Sequence, residues 1–242
     1  MKTAFASLLF MGASVAFGQQ LSACGSLQNA YGPYDYRKER TGMLEIVERA
    51  HFTPEVEMLV RGKAGYLGGD LDYTLRASPN HHRALAATAR LAEREGNPQP
   101  RNMRYSVDCW FDRGMRFAPD DHVVRFLFVQ YLIRTKRAAQ APQHLDHVAA
   151  MNPPEALTWL NLALLNADLG RWEIGRTQAE QARAMGLERA PVSERFAAAG
   201  FALRSPEELA SMAPASAPAS AAASAPASTP ASAPATASGV SP

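Results

Sequence analysis

Residues 156–187 read ALTWLNLALLNADLGRWEIGRTQAEQARAMGL, and this stretch decides the fold. Trp159 and Leu162 stand three apart and fall on one face of a helix. Leu169-Gly170-Arg171-Trp172 breaks the period, and Gly170 can take the left-handed backbone that ends a first helix. Ala179 and Ala182 recur three apart beyond it, small enough for a second helix to approach the first closely. The stretch therefore predicts helix, turn, helix.

The same punctuation recurs upstream. Proline stands at 79, 119 and 153, in Ser78-Pro79-Asn80, Ala118-Pro119-Asp120 and Asn152-Pro153-Pro154, each time after a helical stretch and before a polar or acidic start. The last interval is 34 residues and the one before it 40. The excess fits Gly96-Asn97-Pro98-Gln99-Pro100-Arg101-Asn102, a polar loop where a turn between helices belongs. Four units align at about 48–79, 82–119, 122–153 and 156–187, with Leu71, Phe111, Leu145 and Ala179 in one non-polar second-helix column. The first unit is the weakest, because Gly68-Gly69 leaves a short second helix from about Asp70 to Ala77. Pro191 to Ala199 and Ser205 to Met212 predict capping helices. No alternating run bounded by hairpin dipeptides exists, so the class is all-α.

A 34-residue helix–turn–helix period with Trp, Leu, Gly, an aromatic and Ala at these offsets resembles the tetratricopeptide (TPR) repeat. Gly175 and Leu187 depart from it, standing where Ala and Pro are usual. Three blocks extend the likeness over about 24–200: Gly32-Pro33-Tyr34-Asp35-Tyr36-Arg37, Gly69 to Leu75 with Pro79 to Leu85, and Cys109-Trp110-Phe111-Asp112-Arg113 with Pro119-Asp120-Asp121. They resemble a group of exported proteobacterial TPR-like proteins. The resemblance implies a right-handed α-α superhelix, a TPR-like solenoid, with an irregular N-terminal arm and a disordered C-terminal tail. It lends no catalytic residues.

The ends differ from the middle. Lys2, the apolar run Ala4 to Phe17 and the small residues of Ala16-Phe17-Gly18 read as an export signal over 1–18. An alternative uses Leu21-Ser22-Ala23-Cys24, which resembles a lipobox and would leave Cys24 as a lipid anchor. Residues 19–47 form the arm and a lead helix, 48–210 the repeat domain. Residues 211–242 hold 13 Ala, 8 Ser and 6 Pro without a charge, a composition that predicts a disordered tail. No segment reads as a transmembrane span; the most apolar one, Val123 to Ile133, carries Arg125 and Gln130. The expected location is the periplasm or the exterior.

Net charge is +2, from 25 Lys and Arg against 23 Asp and Glu, which excludes the basic excess of a dedicated nucleic-acid binder. The two cysteines, Cys24 and Cys109, suit one disulfide in an oxidising compartment, closing a loop of about 84 residues; two unrelated thiols are the alternative. No catalytic or nucleotide-binding motif is present, and no cofactor or metal is expected. His144 and His147 share a helix face without a third ligand, while Asn80, Asp120 or Asp121, and Asp70 with Asp72 read as helix caps. His81 and His82 read as structural, and Tyr31, Tyr34 and Tyr36 as packing of the arm.

In the TPR register the concave groove is lined by Arg83, Arg90 and Arg94, then Phe126, Gln130 and Arg134, then Leu160, Leu164 and Asp168. Such a surface, basic at one end and apolar at the other, suits a protein or peptide with an acidic portion. The carboxylate clamp of chaperone-binding relatives does not carry over, since Ala86, Phe126 and Leu160 occupy its Lys position. The expectation is a non-catalytic scaffold. The alternative is an enzyme or envelope-remodelling accessory protein with its site between the arm and the first repeats.

Overall fold

The computed structural model describes residues 23–39, 42–63 and 65–212. Residues 1–22, which carry the expected export signal, and most of the Ala/Ser/Pro tail lie outside them. Among the described residues there are eleven α-helices and no strand, so the chain is all-α.

Helices α1 (Met43–His51), α2 (Pro54–Glu57) and α3 (Leu67–Ala77) open the body. Then come α4 (His82–Glu95) with α5 (Val107–Phe117), α6 (His122–Arg134) with α7 (Pro142–Ala150), and α8 (Ala156–Asp168) with α9 (Trp172–Ala184). Each helix from α3 to α9 packs on its successor, while α4 also packs on α6 and α6 on α8. Helix α6 is apolar over most of its circumference, FLFVQYLI at its centre, because it meets α4, α5, α7 and α8. One core runs through these pairs, with Leu71, Leu85, Trp110, Phe111, Leu132, Leu145 and Leu162 fully buried.

Gly170 ends the α8 turn at φ 73°, as its sequence position predicts. Gly175, where the TPR pattern has Ala, marks a close approach: a Cβ there would stand 2.8 Å from the Ala163 carbonyl oxygen and 3.1 Å from the Phe196 ring. Phe196 comes from α10 (Ala190–Ala198) and closes a second small core with Ala163, Ala167 and Ala179. Beyond Leu203 a separate unit begins, and within it α11 (Pro206–Met212) takes up the first residues assigned to the tail.

The first unit departs from its expected layout. Helix α1 straddles the boundary placed at residue 47, and Thr53-Pro54 restarts the chain as the short α2. Leu59 then adopts φ 60°, and an irregular segment leads to α3, which begins at Leu67 rather than at Asp70. Asp70 and Asp72 are consequently not caps. Asp70 accepts the Lys63 backbone N–H at 2.7 Å and faces His51 Nδ1 at 3.0 Å, so it fastens the irregular segment. Asp72 accepts the Arg104 N–H at 2.8 Å and fastens the long α4–α5 loop.

Helix α4 corrects a second expectation. Its cap is His81, whose Nδ1 accepts the Ala84 N–H at 3.2 Å, and Asn80 turns instead to the arm. Asp121 caps α6 as expected, accepting the Val123 N–H. The arm is held at several points. Cys24 and Cys109 form the expected disulfide, which consumes the sulfur that a lipid anchor would need. Beside it, buried Arg113 donates to the carbonyls of Cys24 and Ser26 at 3.0 and 2.6 Å. Further along, Tyr34 N–H donates to Ala77 O, and Tyr36 stacks on His81 at 4.2 Å.

Candidate functional site

Helices α6 and α8 diverge enough to leave an open groove in two adjoining chambers. The larger, about 660 Å³, runs from the arm to the α7–α8 connection and is bounded by Arg37, His82, Asp120, Met151, Pro153 and Leu157. The second, about 370 Å³, lies between Leu127 and Gln130 of α6 and Leu164 and Asp168 of α8. Val123, Phe126 and Asn161 line both, so the chambers are continuous. Apolar side chains dominate the floor, and two of them are unusually open: Leu157 is 58% and Val123 42% exposed. An apolar concavity with a few polar groups is the common form of a recognition site.

At its arm end the groove meets a polar network. The Arg37 guanidinium donates to both carboxylate oxygens of Asp35 and both of Asp120, with Asp121 3.5 Å from its Nε. These bonds hold the Asp35 carboxyl far below the usual carboxylate range. The Asn80 amide donates to Asp35 and Asp121, and its Oδ1 accepts the Tyr36 N–H. His82 Nε2 lies 2.9 and 2.8 Å from the two oxygens of the buried Asp121 carboxylate. Three carboxylates, Asp35, Asp120 and Asp121, converge on the Arg37 guanidinium, so the network docks the arm against α4 and α6 and gives the groove an acidic end wall.

The expected site residues divide. Phe126, Gln130, Leu164 and Asp168 line the groove, and Asp168 pairs with Arg195 of α10 at 2.6 Å. Leu160 lies a 100° step from Asn161, is 7% exposed, and faces Ala179, Val192 and Leu203 instead. Arg134 pairs with Glu93 at 2.9 Å outside either chamber.

The three arginines of α4 do not line it either. Arg83 forms a two-point ion pair with Glu57, Arg90 donates to the Glu57 carbonyl at 2.9 Å, and Arg94 to the Leu59 carbonyl at 2.6 Å. Together they clasp the α2 turn, including its left-handed residue. At the end expected to be basic, the three guanidinium groups are therefore engaged by one carboxylate and two carbonyl oxygens, and Arg83 is the one among them paired with an opposite charge here.

Sequence reasoning missed Leu157, Asn161 and Val123. The period 157, 161, 164, 168 on α8 carried the signal, since it marks a face separate from that of Ala163 and Ala167, which pack with Ala179 of α9. Among the described residues no group of three His, Cys, Asp or Glu side chains could hold a metal, and no helix is long and apolar enough to cross a membrane. Comparison with protein-family models, with curated proteins and with solved structures returns no match.

Proposed function

We propose that the chain is an exported, non-catalytic TPR-like solenoid that binds an extended peptide segment in the α6–α8 groove. The observation that carries this reading is the continuous two-chamber concavity floored by Val123, Phe126, Leu157 and Leu164. Supporting it are the 34-residue interval from α6 to α8, the packing of α4 on α6 and of α6 on α8, and a disulfide that suits an oxidising periplasm. With the α4 arginines engaged, the fitting ligand carries apolar anchors at alternate positions rather than an acidic block.

Selection from a random peptide display library tests the reading. Enriched peptides should bind wild type and lose about tenfold or more on Leu157→Asp, which places a charge on the apolar floor. They should retain binding on Ile174→Asp, an exposed α9 residue outside the groove. Failure to enrich any peptide, or equal binding by both variants, would overturn it.

The His82–Asp121 pair at the groove mouth favours a second reading, an enzyme or envelope-remodelling accessory protein with its site beside the arm. A carboxylate behind an imidazole orients the ring and fixes its tautomer. His82→Gln distinguishes the two: the enzyme reading requires loss of turnover with peptide binding intact.

A further inference from the structure

The larger chamber of the α6–α8 groove is unevenly charged. Three carboxylates line it, Asp120, Asp121 and Glu155, against the one guanidinium of Arg37. Asp121 is fully engaged: its side chain is 1% exposed and meets His82, Asn80 and Arg37. Asp120 is more open. Arg37 donates to both of its oxygens, yet the side chain is 67% exposed. A carboxylate offers about four acceptor positions, so two bonds leave room for further donors. Arg37 also holds Asp120 and Asp35 below the ordinary carboxylate range, so both are ionised at neutral pH. Lys38, exposed and outside the chamber lining, reaches Asp35 at 3.7 Å.

Glu155 adds a carboxylate with nothing to hold. It stands 34 residues after Asp121, in the same place relative to a helix start: Asp121 precedes α6 and Glu155 precedes α8. Asp121 caps its helix, whereas the Glu155 side chain makes no capping bond, and among the described residues its carboxylate meets no donor. It is exposed on the chamber wall. Away from these acids the floor is apolar, through Val123, Phe126 and Leu157. At the far end the one acid, Asp168, is matched by Arg195 at 2.6 Å. Unmatched negative charge is thus confined to the arm end of the groove.

We propose, resting on the reading of the groove as a peptide site, that its ligand is a cationic peptide, with an Arg or Lys side chain received by Asp120 and Glu155 and apolar side chains laid along the floor. Charge complementarity selects this occupant. An arriving guanidinium or ammonium gains charge-assisted hydrogen bonds to carboxylates that are already ionised, while an acidic residue would meet two like charges. The chain's own Ala/Ser/Pro segment at 213–242 carries no charge and does not match this end. A free inorganic cation would use the acids but leave the apolar floor uncovered.

The probe is the random peptide display library, selected on the full chain. Enriched peptides should share an Arg or Lys at a constant sequence distance from their apolar anchors, and should weaken several-fold when that residue is replaced by Gln. Glu155→Gln, which removes no contact of the fold, should weaken them several-fold, and Asp120→Asn combined with it about tenfold or more. Glu45→Gln, the same charge change at an exposed α1 residue outside both chambers, should leave binding unaltered. Added salt should narrow the gap between wild type and the double variant. Leu157→Asn wets the floor without adding charge, so loss of binding there reports the groove reading by itself. Peptides that respond to Leu157→Asn but show no Arg or Lys preference, or that bind the double variant as tightly as wild type, would overturn the proposal and leave the groove reading standing. Enrichment of acidic peptides, or of uncharged Ala/Pro sequences like 213–242, would overturn it equally. Failure to enrich any peptide would overturn both.

Discussion

The Nε2–H of His81 points at Glu48 Oε1 across 2.9 Å, while Nδ1 of the same ring accepts the Ala84 N–H at the start of α4. The two contacts require one tautomer of a neutral imidazole. Burial pushes His81 below its ordinary value of 6.5, against the opposing pull of Glu48. A proton on Nδ1 would turn the capping acceptor into a donor facing another donor.

Stability is therefore present above the ordinary histidine pH and is lost as pH falls through the depressed folded value. Denaturant midpoints should drop on going from pH 7.5 to pH 5, with the cap accounting for about 1–2 kcal/mol. Tyr36, Glu48, Phe52 and Arg83 surround the ring, and Glu48 is itself held below its ordinary range, so it stays ionised through this window. His81→Asn, a cap that does not titrate, should be less stable at pH 7.5 but show a flatter acid profile. His144 and His147, also depressed, retain part of the slope. A variant profile as steep as wild type would refute the assignment to His81.

Gly175→Ala separates helix propensity from packing. Propensity alone favours Ala by about 1 kcal/mol. The 2.8 Å approach to the Ala163 carbonyl oxygen opposes it, because backbone must shift to make room. Overpacking of this kind costs about 1–3 kcal/mol, so the thermal midpoint should fall.

Arg94→Gln removes the donor that holds the Leu59 carbonyl. Arg94 is largely exposed, so the global loss should be about 1 kcal/mol or less. Local opening should increase more visibly, as faster proteolysis within 55–63 than in wild type. Peptide binding in the α6–α8 groove should not change, and a loss there would return Arg94 to the binding surface.

Cys24→Ser with Cys109→Ser should lower stability by about 4–5 kcal/mol on a chain-entropy basis. Reductant should do the same to wild type and nothing further to the double variant, as read from urea midpoints.

Much of this architecture is legible in the chain. The helix pairs, the Gly170 turn and the Cys24–Cys109 bridge follow from residue types that admit few alternatives. What stayed hidden depends on acceptors that sequence does not display. Arg90 and Arg94 look like a basic face because the carbonyl oxygens of residues 57 and 59 carry no letter of their own. Asn80 has the usual chemistry of a cap, yet His81 takes that place because Asn80 is needed by Asp35, Tyr36 and Asp121. Leu160 lies a single 100° step from Asn161, and that step separates the groove face of α8 from the face against α9 and α10.

The bridge also has a mechanical consequence. It joins positions 85 apart in sequence, so a force applied at the two ends of the chain cannot reach the residues between them. At about 3.3–3.6 Å per extended residue, roughly 290 Å of contour is withheld from stretching. Helices α1 to α4 would thus bear no tension while α6 to α9 peel away, and only reduction would release the hidden length.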